Sequence, residues 1–247
     1  MSGTRPKSGA AAERSVRPAT VSVAIVDSGA NAPHPHLPAV AGGVGIDFEG
    51  AESEDFVDRL GHGTAAAAVI HEKAPGAELW AIKVFDRELA TTVATLVRAI
   101  DWAARREIRL VNMSLGTPND FRAAELAPAI ARAVEAGTIV VSAHRHDDRL
   151  WYPGSMEGAV GVVLDLEQPR EAVTVVELDG RRVLRASPYP RPIPGVPPER
   201  NLNGISFAVA NATGVLAALL ADHAEVCTAE EAVALLAARV ASAPPTG

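Results

Sequence analysis

The stretch that decides the fold is "VSVAIVDSG", residues 21–29. It is a short apolar run that stops at Asp-Ser-Gly, the profile of a buried strand ending in a turn. Outward from it, strand-like and helix-like segments alternate. "HGTAAAAVIHEK" is Ala-rich and helical, "APGAELWAIKVFD" brings a turn and a second strand, and "TTVATLVRAIDWAARREI" spaces its apolar residues as a helix does. "RLVNMSLG" reads as a third strand, "AAELAPAIARAVEAG" as a helix closed by Gly137, and "TIVVSA" and "GAVGVVLDL" as two strands more. Strands alternating with helices of this length imply crossover units. The predicted fold is therefore α/β, with a mostly parallel central sheet and helices on both faces.

After residue 165 the pattern changes. "VTVVELDGRRVLRA" is two alternating runs joined by Asp179-Gly180, a hairpin signal. "SPYPRPIPGVPPER" holds six prolines in fourteen residues and predicts an extended, irregular loop. A small-residue helix is expected from Ser206 to about His223, and a last one from Thr228, where Glu231 completes a capping box. No repeat or linker divides the chain. The expected organisation is a flexible tail over residues 1–20 and one domain over 21–247.

Composition narrows the function. About half of the chain (48%) is apolar but only 4% is aromatic, so the core must rest on Ala, Val, Leu and Ile. A net charge of −7 offers no basic stripe for nucleic acid. No apolar run approaches the roughly 20 residues of a membrane span. The first twenty residues lack the apolar segment of a secretory signal. Cys227 is the only cysteine, which excludes an internal disulfide and a thiolate metal cluster. A cytoplasmic protein is the expectation.

Three residues carry chemistry in combination. Asp27 follows the first strand, His62 lies between Gly61 and Gly63, and Ser206 follows Gly204-Ile205 at a predicted helix start. A serine hydroxyl needs an adjacent base to attack a carbonyl, and the base needs a carboxylate to hold its tautomer. Taken singly, each has an ordinary reading as a turn cap, a solvated histidine or an N-cap. Strand ends and helix starts are nevertheless where α/β sheets build sites, and the chain order Asp, His, Ser is one of the recognised orders of this triad.

The flanking sequences decide between these readings. "VAIVDSGANAPHPHL", "LGHGTAAAAVI" and "LNGISFAVANATG" resemble the aspartate, histidine and serine segments of subtilisin-like serine proteases, the subtilases. "APGAELWAIKVFD", "LVNMSLG" and "YPGS" fall between them in the family's order. The resemblance covers residues 21 to 222. It implies that Asp27 orients, His62 is the base and Ser206 the nucleophile of a serine endopeptidase. It also implies that Ser114, Leu115 and Gly116 form the edge that pairs with an extended peptide or protein substrate. Calcium is common in the family, but no acidic cluster here offers ligands that can be named, and no other cofactor is implied.

The family pattern is broken in places. Ile205 stands where the family carries Thr, Val209, Ala210 and Asn211 follow Ala208 where the family has a Pro-His pair shortly after the nucleophile, and Ala65-Ala66 stand where His-Val follows the histidine segment. More consequentially, "GTIVVSAHRHDD" lacks the family's Ala-Gly-Asn, whose Asn donates to the oxyanion. An ungapped count from Gly137 puts His146 at the Asn position and Arg145 at the Gly, and either side chain can donate a hydrogen bond. Only 26 residues precede Asp27, fewer than the family's folding propeptide, which leads us to expect an unaided enzyme with a narrow substrate, such as a precursor peptide. Two other functions share this scaffold. A ligase or macrocyclase would use the same acyl-enzyme, with residues 171–198 as its shielding element, and an inactive relative would only bind peptides.

Overall fold

A computed structural model describes residues 20–197 and 200–242 of the chain; residues 1–19 of the expected tail lie outside them. The elements begin with β1 (Ser22–Asp27), β2 (Gly42–Ile46), β3 (Glu52–Ser53), α1 (His62–Lys73), β4 (Glu78–Lys83) and α2 (Val93–Arg105). There follow β5 (Leu110–Met113), α3 (Asp120–Glu135), β6 (Ile139–Ala143), and a short pair, β7 (Arg145–His146) and β8 (Arg149–Leu150). The chain closes with β9 (Ala159–Leu164), β10 (Val173–Leu178), β11 (Arg181–Ala186), α4 (Ile205–Leu220) and α5 (Ala229–Ser242).

Nine strands form one sheet in the order β10-β11-β9-β6-β5-β1-β4-β2-β3. β1 lies in the interior of the sheet between β5 and β4, parallel to both, with Ile25 opposite Ala81 and Asn112. Side chains alternate along a strand, so β1 feeds two cores. Val23 and Ile25 join the apolar residues of α1, α4 and α5, whereas Ala24 and Val26 join those of α2 and α3. Each large aliphatic buried this way contributes about 1.5–3 kcal/mol, and with so few aromatics the two cores depend on many such residues. No described helix is long and apolar enough to cross a membrane.

Three local outcomes differ from expectation or refine it. β2 and β3 were not predicted, because glycines at 42, 43 and 45 erase the apolar alternation that marks a strand. "HRHDD" forms a tight hairpin exposed at its turn, with Asp147 and Asp148 both at positive φ (49° and 58°). The predicted hairpin of β10 and β11 does turn at Asp179 and Gly180 (φ 52° and 72°). It joins the sheet: β11 pairs in parallel with β9, Leu184 opposite Val162, and extends the central sheet. Residues 187–197 of the proline-rich segment are irregular as predicted, its residues 198 and 199 lying outside the described ones, and the buried Asn211 of α4 holds its start by donating to the carbonyls of Ser187 (2.8 Å) and Tyr189 (3.0 Å).

The start of α1 governs the site and was not legible beforehand. Gly61 precedes the helix with φ 81° and offers no side chain to cap it. Asp58, three residues earlier and buried, supplies the acceptors. One carboxylate oxygen accepts the backbone N–H groups of Leu60 (2.9 Å) and Gly61 (2.8 Å) and the Ser28 hydroxyl (2.8 Å). The other accepts the N–H (2.8 Å) and hydroxyl (2.6 Å) of Thr64. Burial alone would raise its pKa, but these hydrogen bonds outweigh it and hold the carboxyl below its ordinary 3.8. Replacing Asp58 with alanine leaves several partly buried donors without an acceptor. Urea unfolding of Asp58→Ala is expected to show a loss of about 2–4 kcal/mol. Because the folded pKa is depressed, the Asp58 contribution is complete above the unfolded value and disappears as pH falls through the folded one, so the gap between wild type and variant should close in acid. A variant within about 0.5 kcal/mol of wild type at neutral pH would contradict this role.

Candidate active site

Asp27 ends β1 and is fully buried. Its carboxylate accepts the Ser28 N–H (2.7 Å) and lies 2.8 and 2.9 Å from His62 Nδ1. An ionised carboxylate can only accept, so the histidine proton on that side must sit on Nδ1, leaving Nε2 as the basic nitrogen. His62 is the first residue of α1, held by the Asp58 network. The Gly63 N–H donates to Ser28 Oγ (2.9 Å). Gly63 has to be glycine here: a Cβ would stand 2.2 Å from the Gly29 carbonyl oxygen and 3.2 Å from Asp27 Cβ. The bare backbone lets the helix start settle onto the strand end. The Phe207 ring packs on the imidazole, 5.5 Å between centroids.

Burial of the imidazole works to lower its pKa. The hydrogen bond to Asp27 and the negative charges of Asp27 and Asp58 outweigh that effect, and the net value lies above the usual 6.5.

Ser206 is the second residue of α4, on the other side of the cleft. Its hydroxyl donates to the Ser114 carbonyl oxygen (3.3 Å) and not to His62, while Ser114 Oγ donates to the Ser206 carbonyl oxygen (3.2 Å). Behind this reciprocal pair, Asn112 Nδ2 donates to Ser114 Oγ (3.0 Å), and Thr213 Oγ1 lies 3.0 Å from Asn112 Oδ1. Asn112 and Thr213 are fully buried. They fasten α4 to β5 and so set Ser206 beside Ser114. Sequence reading missed both, although a lone polar residue inside "LVNMSL" and inside an apolar helix was a signal available to it.

His62, Ser206, Ser114, Leu115, Gly116 and His146 all border one cleft of about 620 Å³. Asp27 stands behind His62. The two alternatives for the missing Asn separate. His146, on β7, faces the cleft with Trp151 beside it. Arg145 is not among the residues bordering it: its guanidinium is clamped on Asp179 at the tip of the β10–β11 hairpin (2.7 and 2.8 Å), which also takes the buried His144 at 3.0 Å. Alternation along β7 sends the two neighbours to opposite sides. Among the described residues no group of three or more His, Cys, Asp or Glu is placed to hold a metal ion.

The sequence matches the model of the Subtilase family over residues 19–169, a range that includes Asp27 and His62 and stops short of Ser206. Subtilisin DY of Bacillus licheniformis is 29% identical over 225 residues, 83% of this chain and 78% of that protein. The minor extracellular protease Epr of Bacillus subtilis is 30% identical over 154 residues, 58% of this chain and 23% of its own length. An intracellular serine protease of Paenibacillus polymyxa is 31% identical over 160 residues, 58% and 48% of the two chains. The chain thus spans less than half the length of these last two relatives. Among solved structures, Sphericase superposes with a TM-score of 0.65 at 20% identity, covering 90% of this chain and 83% of that one. The matched family model extends over more than half of the sequence and the fold agrees with it: the chain belongs to the subtilase family.

Proposed function

We propose that this chain is a serine endopeptidase that cleaves peptide bonds through an acyl-enzyme on Ser206, with His62 as base and Asp27 as the acid that orients it. The observation that carries the proposal is the buried Asp27–His62 pair opening, through Nε2, onto the cleft that Ser206 borders. In the resting geometry Ser206 Oγ occupies the Ser114 carbonyl. Rotation about its Cα–Cβ bond toward His62 does two things at once: it offers the hydroxyl proton to the base, and it frees the Ser114 carbonyl to accept an N–H from a substrate strand. Catalytic hydrogen bonds often tighten only when substrate is bound.

Ser206 Oγ then bonds to the substrate carbonyl carbon while its proton passes to His62 Nε2. The oxygen of that carbonyl becomes an anion. The Ser206 N–H, in the first turn of α4, has no intrahelical acceptor and supports it, and His146 is proposed as the second donor. Collapse breaks the C–N bond as His62 returns the proton to the leaving amine. Water, deprotonated by the same His62, releases the acid. The extended substrate adds as a strand to Ser114–Gly116. A narrow peptide substrate, such as a precursor trimmed during maturation, belongs to the proposal, with Leu115 and Trp151 bordering the cleft that would receive it. Hydrolysis is favoured over ligation because β10 and β11, the first part of the expected shield, border none of the cleft.

Three outcomes test this reading. An alkyl fluorophosphonate should add one label to the wild-type chain and none to Ser206→Ala; a folded wild type that stays unlabelled refutes the peptidase reading in favour of a binding module. Asp27→Asn should keep the fold but lower kcat by about 10⁴-fold, because the amide favours the wrong tautomer. Since the base works only when unprotonated and Asp27 raises its pKa, kcat/KM should rise with pH through a value above 6.5, and the residual activity of Asp27→Asn should rise at lower pH. His146→Ala should lower kcat roughly 10²- to 10³-fold with little change in KM, and His146→Asn should retain more. A His146→Ala enzyme within a few-fold of wild type would leave the oxyanion to backbone N–H groups alone.

A further inference from the structure

We propose that Trp151 limits the residue whose carbonyl is attacked to small, uncharged side chains: glycine, alanine or serine. This inference rests on the peptidase reading and specifies its substrate.

A carbonyl within reach of Ser206 Oγ puts the side chain of its own residue between the two walls of the cleft nearest the serine. One wall is Ser114–Gly116 and the other is His146 with Trp151. The walls cannot spread. Thr117 N–H donates to the Tyr152 carbonyl (3.0 Å) and Tyr152 N–H to the Thr117 carbonyl (2.9 Å), a two-bond bridge directly beside both. At Gly116 they are as close as backbones allow, since a Cβ there would stand 2.2 Å from the Tyr152 carbonyl oxygen.

Trp151 is fixed as firmly. Its N–H donates to the His144 carbonyl (2.9 Å), and its own carbonyl accepts the Ser155 hydroxyl (2.8 Å). Its ring meets the His146 ring edge to face, 6.0 Å between centroids. The largest side chain available therefore stands in the wall of the pocket, braced by the proposed oxyanion donor. To swing the indole out, a bulky substrate residue would have to move His146 as well, at the moment it is needed. Charge finds no welcome either. The only Asp, Glu, Lys or Arg bordering the cleft among the described residues is Arg122, and it is engaged by Glu125 (3.0 and 3.2 Å). A charged side chain in the pocket would be desolvated without a partner.

The test is a peptide series that varies only the residue before the cleaved bond, through Gly, Ala, Leu, Phe, Lys and Glu. Wild type should cleave the Ala peptide roughly 10- to 100-fold better than the Phe peptide in kcat/KM, a range typical of steric discrimination by a pocket. Trp151→Gly should invert or abolish that ratio. Because Trp151 also packs on the core, Trp151→Val is made in parallel, and it should shift the ratio in the same direction by less. Fluorophosphonate labelling is recorded alongside, since it reports Ser206 without reading the side-chain pocket. A wild type that labels but prefers Phe or Leu, or folded Trp151 variants with an unchanged ratio, would overturn the inference and leave the peptidase reading standing. A folded wild type that neither labels nor cleaves would overturn both.

Discussion

A carboxylate with no solvent exposure, at the end of an interior strand of the sheet, is the constraint on which the site depends. Burying such a charge costs several kcal/mol unless hydrogen-bond donors surround it. Asp27 has two, the Ser28 N–H and His62 Nδ1–H, and each forces something on its neighbourhood. Ser28 must follow the strand in a tight turn, so its hydroxyl can receive Gly63 and reach Asp58. His62 must arrive at the same point from a helix whose first turn has no side-chain cap of its own. A second carboxylate, Asp58, resolves that difficulty by gathering the free donors of the helix start. Two acidic groups thus sit close together, each satisfied separately, and both favour positive charge on the imidazole between them.

The serine side of the site is built by different means. There is no charge to neutralise, so position is set by a chain of neutral polar groups running from Thr213 through Asn112 and Ser114 to Ser206. Buried networks of this kind are specific in geometry because each unmade bond leaves a costly orphan. The apolar residues around them are interchangeable by comparison. Where its family usually has other residues, the chain carries Val209 and Ala210 at fully buried packing positions, Asn211 as the donor to the Ser187 and Tyr189 carbonyls, and Ile205 at the border of the cleft.

The loss of the family's Asn after β6 has a structural counterpart. The segment folds back as a two-residue hairpin, tied down on one side by Asp179 gripping Arg145 and His144, and on the other by the Trp151–His146 contact. The β10–β11 hairpin therefore acts as an abutment for the strand that carries His146, from the edge of the sheet and without touching the cleft. The family's glycine-containing segment is replaced here by a braced hairpin.

By itself, the sequence determined the fold class and the main elements, because apolar periodicity and turn residues are local properties that read out in order along the chain. It also determined the identity of Asp27, His62 and Ser206 as candidates, since their flanking motifs are contiguous. It did not reveal β2, whose glycines carry no periodic signal, or the attachment of β11 to β9, which is a pairing across the chain. Nor could it separate Arg145 from His146: adjacent residues of a short strand face opposite ways, and which way is inward depends on Asp179, more than thirty positions later. The role of Asp58 was invisible for the same reason, and Asn112 and Thr213 could be noticed as polar residues in apolar segments without their roles being legible. Their importance lies in partners brought close only when the sheet and helices have packed, and hydrogen-bond satisfaction is a property of that assembled space.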